Sequence, residues 1–328
     1  MDWRACISAL RADIGLLSSC VCAVLLCMVL AAWLVAAVPL LGCISKHGKV
    51  LEFSDSSSKH YWHRWLYVPK FLFTHMYAWG LLLNAALFED QFSAIMSLTS
   101  SSSSSSSLSS SPPSSLSSSL SRERMLLLLF TAHLLRRLLE CIFMTFYGNS
   151  RMHVAGLVVG LLHYTICSLC ILSLFPTATA NAHRSAFGCS MGAKVAAMCL
   201  FLLANCFQYS SHKVLYQTKK KMKAIRSEKS SVKIMNTKSG EMEEPSLYAV
   251  PEGILFSYVC CPHYTSEVLI YVSMCVLCPC PAMLSLVAWV ASNLAVVSFS
   301  QYDFYSAQFK ASDGYPFAHT KRIIPFIL

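Results

Sequence analysis

Apolar runs of about 20 residues recur along this chain, and they decide what it can fold into. A bilayer core leaves no water for unpaired backbone groups, so a run of that length crosses it as a helix. The first run, residues 15–41, holds about 27 positions without a charge. That exceeds the ~7–15 apolar residues of a secretion signal, so it is expected to be a retained helix. Further runs lie at about 65–88, 125–146, 152–175 and 192–216, and two shorter ones at 266–278 and 282–300. Cys278-Pro279-Cys280-Pro281 separates the last two, and two prolines in four residues stop a helix and favour a turn. The pattern predicts an all-α integral membrane bundle of about seven transmembrane helices, spanning residues 1–328 as one domain.

Composition narrows the function classes. Charged residues make up 13% of the chain and hydrophobic residues 55%, against ~25% charged in a soluble domain. The net charge of +10 is concentrated in loops, which reads as membrane topology rather than nucleic-acid binding. Residues 213–238 carry nine basic residues and one acid, Glu228. The positive-inside rule puts this basic loop, about 213–250, in the cytosol, and the tail with Lys310, Lys321 and Arg322 agrees. Counting back through seven spans places the N-terminus on the lumenal side, although Arg4 and Arg11 argue mildly against that end of the count. Most of the sixteen cysteines lie inside apolar runs, where Cys behaves as a small hydrophobe. Cys167-x-x-Cys170 and Cys275-x-x-Cys278-x-Cys280 lack a paired second half, so no metal is expected. Residues 97–121 form a low-complexity serine tract, read as a flexible insertion on the lumenal side.

Ionisable residues inside apolar runs are expensive in lipid and mark candidate sites. The second span holds Lys70, His75 and Asn84 with Tyr67, Tyr77 and Trp79; the third holds His133, Arg136, Arg137 and Glu140. Arg136 and Glu140, four apart, share a helix face and are expected to pair. Arg137 is left over, which favours an anionic ligand. The fifth span ends in Asn205, Gln208, Tyr209, Ser210, Ser211 and His212, either interfacial fraying or the polar wall of a pocket. The stretch 250–271 places Tyr258, His263, Tyr264 and Glu267 at the mouth of an apolar run.

Several of these residues, in order and spacing, resemble a known family. Phe304-Tyr305, Phe309, Tyr315-Pro316, Lys321-Arg322 and Ile324-Pro325-Phe326-Ile327-Leu328 resemble the C-terminus of steroid 5-alpha-reductases, and Pro251-x-Gly253, Phe256-x-Tyr258-Val259 and Glu267 fit the same pattern. Val68-Pro69-Lys70, Phe73, His75, Tyr77, Leu135-Arg136-Arg137-Leu138, Glu140-Cys141, Gln208-Tyr209, His212 and Glu267-x-x-Ile270-Tyr271-Val272-Ser273-Met274 are similar to its polyprenol (polyprenal) reductase branch. The resemblance implies a multi-pass reductase of the endoplasmic reticulum membrane. It implies NADPH as cofactor, entering from the cytosolic side. It also implies a long-chain polyprenoid as substrate, reduced at its alpha-isoprene double bond on the way to dolichol for N-glycosylation. Position by position it assigns Arg137, Gln208, His212, Tyr248, His263, Glu267 and Tyr305 to the cofactor pocket. Membrane lipid is the surrounding partner; no protein partner is inferable. Three positions depart from relatives: His263 stands where Asn is usual, Leu134 where steroid-reducing members carry a carbonyl-binding Tyr, and His75 where those members carry Glu. Residues 311–314 are extra.

The chemistry asks for a donor. Hydride adds to a double bond readily only when the developing charge can rest on a carbonyl oxygen, which favours a polyprenal over a free polyprenol. One donor aimed at that oxygen contributes about 3 kcal/mol. His75, with Tyr77 nearby on the same span, is the candidate catalytic donor; His75 is equally readable as a hydrogen-bonded core histidine. No G-x-G-x-x-G follows a strand, so a nucleotide here needs side-chain contacts, which suits Arg137. Glu267 suits either a nicotinamide amide or a basic partner. The competing classes are a 3-oxo-5-alpha-steroid 4-dehydrogenase and a non-enzymatic transporter or scaffold, although no internal repeat of the transporter kind is found.

Overall fold

The computed structural model describes residues 3–38, 41, 66–102, 114–175, 190–235 and 249–309. Among these the chain forms α1 (Trp3–Ala12), α2 (Ile14–Ala37), strand β1 (Tyr67–Pro69), α3 (Phe73–Ser102), α4 (Ser114–Phe143), strand β2 (Arg151–His153), α5 (Val154–Leu172), α6 (Met191–Met235), α7 (Pro262–Leu277) and α8 (Pro281–Gln308). The protein is an all-α, multi-pass membrane protein. Among the described residues, five segments are long and apolar enough to cross a bilayer: Ile14–Ala37, Lys70–Gln91, Val154–Leu172, Met191–Ile225 and Pro281–Gln308. The expected count of seven would also need α4 and α7. α4 fails on composition, because it carries Arg122, Glu123, Arg124, Arg136, Arg137 and Glu140. α7 is short, at 16 residues.

Helix ends follow local chemistry. Asp13 caps α2 by accepting from the Leu16 backbone N–H at 2.8 Å, filling one of the orphan donors of a first turn. Pro262 and Pro281 open α7 and α8, where a missing N–H is harmless. β1 and β2 pair antiparallel, Tyr67 opposite His153, and hold the starts of α3 and α5 together. His153 then caps α5, its Nδ1 accepting from the Ala155 N–H at 3.1 Å. Tyr147, in the turn after α4, hydrogen-bonds Thr74 at 3.3 Å. Burial, with Cys141 close by, pushes its phenol up to about 12.

Two stretches differ from expectation. The basic segment from residue 213 is not loop at first, because α6 continues to Met235. Lys and Arg are good helix formers, and extending a helix already nucleated is cheap. The serine tract is likewise helical at both flanks, as the end of α3 and the start of α4.

The exposed surface of the bundle is strongly apolar and the interior mixed. α2 buries a thin stripe, Ile14, Leu17, Val21, Leu25 and Ala32, while Leu26, Leu30 and Leu34 stand exposed. α4 repeats this with the polarity reversed: Leu128, Leu135, Ile142 and Phe143 are exposed, whereas His133 and Glu140 are buried. Charges in α4 therefore face protein rather than lipid, as the cost of a lipid-facing charge requires. α6 packs along α7, α2 against α8, and α3 against α5 and α4. α3 and α5 approach closely because Gly160 leaves no Cβ; one built there would sit 2.2 Å from Met76 Sδ. Asn84, fully buried on α3, donates to Thr131 of α4 at 3.1 Å and accepts from Ser168 of α5 at 3.2 Å.

Candidate functional site

One polar network runs through the apolar interior between α3, α4, α6 and α7. Its centre is Glu140 on α4. One carboxylate oxygen accepts from Arg136, and the other from Arg137 Nη1 at 2.5 Å. His212 of α6 places Nδ1 2.6 Å from that second oxygen. Arg137 Nη2 donates to Tyr77 Oη of α3 at 2.8 Å, and the guanidinium lies over the Tyr77 ring, 5.1 Å from its centroid. Arg136 Nε donates to Asn205 at 3.0 Å, and its Nη2 donates to Gln208. Gln208 in turn donates to Glu267 of α7 and to the His263 backbone carbonyl at 3.3 Å. His133 Nε2 stands 3.3 Å from the other oxygen of Glu267.

The spacing explains the assembly. His133, Arg137 and Glu140 are four and three residues apart, so they share the inner face of α4; Asn205, Gln208 and His212 do the same on α6. The polar end of the fifth span is thus a wall of this network. The expectation that Arg137 is left over by the Arg136–Glu140 pair is corrected: positions three apart on a helix are neighbours as much as positions four apart, and both arginines reach one carboxylate. The network holds two guanidinium groups and two carboxylates, Glu140 beside both arginines and Glu267 reached through Gln208, so these four charges balance. Arg137 Nε is buried with no hydrogen-bond partner among the described residues.

Of the residues singled out from sequence, Tyr77, Arg137, Gln208, His212 and Glu267 meet in this network. His263 borders it, its ring 5.4 Å from His212 and 4.2 Å from Tyr264. Tyr305 lies in a separate buried cluster with Cys260, Cys261, Phe304 and Phe309, against which Tyr264 packs. His75 is exposed, near Phe71, and two residues from Tyr77 it occupies another face of α3. Tyr248 and the C-terminal motif beyond Phe309 lie outside the described residues. His133 and Asn205 were not assigned from sequence, although their helical spacing to Arg137 and Gln208 carried the signal. Among the described residues, no three His, Cys, Asp or Glu side chains stand together as a metal site needs.

Residues 150–328 match the family profile described as 3-oxo-5-alpha-steroid 4-dehydrogenase. The chain belongs to this family. The match covers Gln208, His212, His263 and Glu267 and begins after Tyr77, Arg137 and Glu140, so the α3 and α4 side of the network lies outside it. Among curated relatives, a protein of Danio rerio named polyprenal reductase is 31% identical over 206 residues, 62% of this chain and 60% of the relative. Those of Xenopus tropicalis and Homo sapiens, with the same name, are 28% identical over 277 residues and 30% over 203. They are covered over 82% and 56% of their own lengths, and this chain over 81% and 60%. All three relatives carry the name polyprenal reductase, and this chain spans between 56% and 82% of their lengths.

Proposed function

We propose that this protein reduces the alpha-isoprene double bond of a polyprenal, with NADPH as the reductant, in the endoplasmic reticulum membrane on the route to dolichol. The observation that carries the reading is the single buried network joining Tyr77, Arg137, Glu140, Gln208, His212 and Glu267 inside an apolar membrane bundle. Burying so many ionisable groups is costly in a membrane protein without a ligand to serve. The relatives named polyprenal reductase supply the substrate class.

The residues suit a nicotinamide dinucleotide. Gln208 and Glu267 present an amide beside a carboxylate, a donor and acceptor set that matches a carboxamide. Arg137 offers a buried Nε that has no partner among the described residues, and guanidinium groups suit phosphate oxygens. When bound, NADPH supplies a hydride for the beta carbon of the substrate. Glu140 holds Arg137 and His212 in one orientation, so the ligand meets preset groups. The surrounding core, with Phe130 and Leu134 fully buried, keeps water away. Leu134 also leaves no hydroxyl where steroid-reducing members carry their carbonyl-binding tyrosine, which supports a polyprenoid over a steroid.

The test is NADPH oxidation by membranes carrying the protein, with a polyprenal and a 3-oxo-4-ene steroid offered in parallel and Arg137→Ala as control. Turnover of the polyprenal, lost in the variant, is the expected result. Binding of NADPH without turnover of either substrate overturns the substrate assignment. Absence of both binding and turnover overturns the enzyme reading.

A further inference from the structure

A second polar cluster lies in the core where α5, α7 and α8 meet, apart from the Arg137 network. It consists of His163, Cys167, Tyr271 and Trp289, separated by as many as 126 residues in sequence. Tyr271 and Cys167 are fully buried and Trp289 nearly so. Trp289 Nε1 lies 3.1 Å from His163 Nδ1. An indole nitrogen can only donate, so Nδ1 is the bare acceptor and the imidazole proton sits on Nε2. Nε2 is 2.9 Å from Tyr271 Oη and therefore donates to it. The phenol oxygen is thus an acceptor, and its own proton remains to be given. Among the described residues, its further contact is Cys167 Sγ at 3.9 Å, a long distance to a weak sulfur acceptor.

Tyr271 stands one helical turn beyond Glu267 on α7, on the same face. Its ring meets Phe130 edge-on at 6.4 Å, and Phe130 stacks on His133, the neighbour of Glu267. Tyr271 thus sits in the same packed interior as the network, one turn from Glu267.

We infer that Tyr271 donates a hydrogen bond to the carbonyl oxygen of the alpha,beta-unsaturated substrate, with His163 and Trp289 as positioning residues that fix the direction of the donation. This rests on the reductase reading above. When hydride from the reductant bonds to the beta carbon, the alpha–beta π pair shifts to form a new double bond between the alpha carbon and the carbonyl carbon. The carbonyl π pair then moves onto oxygen. Tyr271 O–H stabilises that oxygen, and the His163 Nε2–H strengthens the donor by holding the phenol oxygen. Once the site opens to solvent, a water gives one proton to the alpha carbon and leaves as hydroxide, the carbonyl re-forms, and the product is the saturated aldehyde.

The experiment uses detergent-solubilised full-length protein and a polyprenal labelled with carbon-13 at the carbonyl. The infrared carbonyl band of the bound aldehyde, without NADPH, is compared in wild type, Tyr271→Phe and Trp289→Phe, alongside kcat and KM with NADPH. Wild type is expected to shift the band to lower wavenumber, and Tyr271→Phe to abolish that shift. Tyr271→Phe should also lower kcat roughly 100-fold or more while KM changes little, the loss typical of removing one oxyanion donor. Trp289→Phe should give a smaller loss of both, because Nδ1 is released to carry the proton. An unshifted band in wild type overturns the assignment whatever the variants do, so a misfolded Tyr271→Phe does not protect it. Full kcat and an unchanged band in Tyr271→Phe overturn it while leaving the reductase reading intact. Wild-type protein that binds NADPH but turns over no polyprenal overturns both.

Discussion

Replacing Glu140 by glutamine is expected to destabilise the protein strongly, and replacing Arg137 by methionine to cost less in that variant than it does alone. Glutamine keeps the shape of Glu140 but removes one of the two carboxylates that balance Arg136 and Arg137. Arg137 Nη1 stands 2.5 Å from Glu140, which puts the charge centres roughly 4 Å apart. At an effective dielectric near 20 such a pair is worth about 4 kcal/mol. Breaking a buried pair by removing one partner costs about 3–5 kcal/mol, mostly because a charge is left unpaired. Glu140→Gln leaves an excess cation, and Arg137→Met alone leaves an excess anion. The double variant returns to one cation, Arg136, and one anion, Glu267, joined through Gln208. Its loss should fall short of the sum of the two single losses by about 2 kcal/mol or more. The assay is reversible unfolding of detergent-solubilised protein, run as a double-mutant cycle. Additivity within about 0.5 kcal/mol would falsify the argument that charge balance holds this network together.

Asn84→Leu is expected to cost only about 1 kcal/mol, the usual worth of interhelical hydrogen bonds in membrane proteins. Its partners keep bonds to their own helices, Thr131 to the Leu127 carbonyl and Ser168 to the Tyr164 carbonyl; a loss above about 3 kcal/mol in the same unfolding assay contradicts this. Gly160→Ala should cost about 1–3 kcal/mol by overpacking, because the new Cβ would fall 2.2 Å from Met76 Sδ. Adding Met76→Ala should recover much of that loss, and a thermal-unfolding midpoint that Met76→Ala does not raise would refute the close-approach argument.

The bundle was legible where composition alone decides. The runs at 15–41, 152–175 and 192–216 appear as α2, α5 and α6, because long apolar stretches have few alternatives to helix in lipid. Composition was least informative at α4 and α7. α4 contains six charged residues in its last 22 and reads as polar in sum, yet it exposes Leu128, Leu135 and Phe143 and turns Glu140 and His133 inward. Helix ends were also hidden. The lysines after residue 213 signal a topology, but they favour helix too, and α6 continues through them to Met235.

The site was legible along each helix and not across helices. The positions of His133, Arg137 and Glu140 on one face follow from spacing, as do those of Asn205, Gln208 and His212. Which faces meet depends on helix rotation and packing, and sequence spacing says nothing about either. His163, Tyr271 and Trp289 show the consequence: each alone reads as an ordinary core residue of an apolar run, and only their meeting fixes a tautomer. The same limit explains Arg137. A second arginine in mid-run suggests an anionic ligand only while its neighbours on other helices are unknown. Once Glu140 and Glu267 are both brought in, the formal charge is balanced. What remains for a ligand is then more limited than a free cation: the buried Nε of Arg137, with an amide and a carboxylate across the network at Gln208 and Glu267. A neutral network of that kind can recognise by geometry without the cost of an unpaired charge when no ligand is bound.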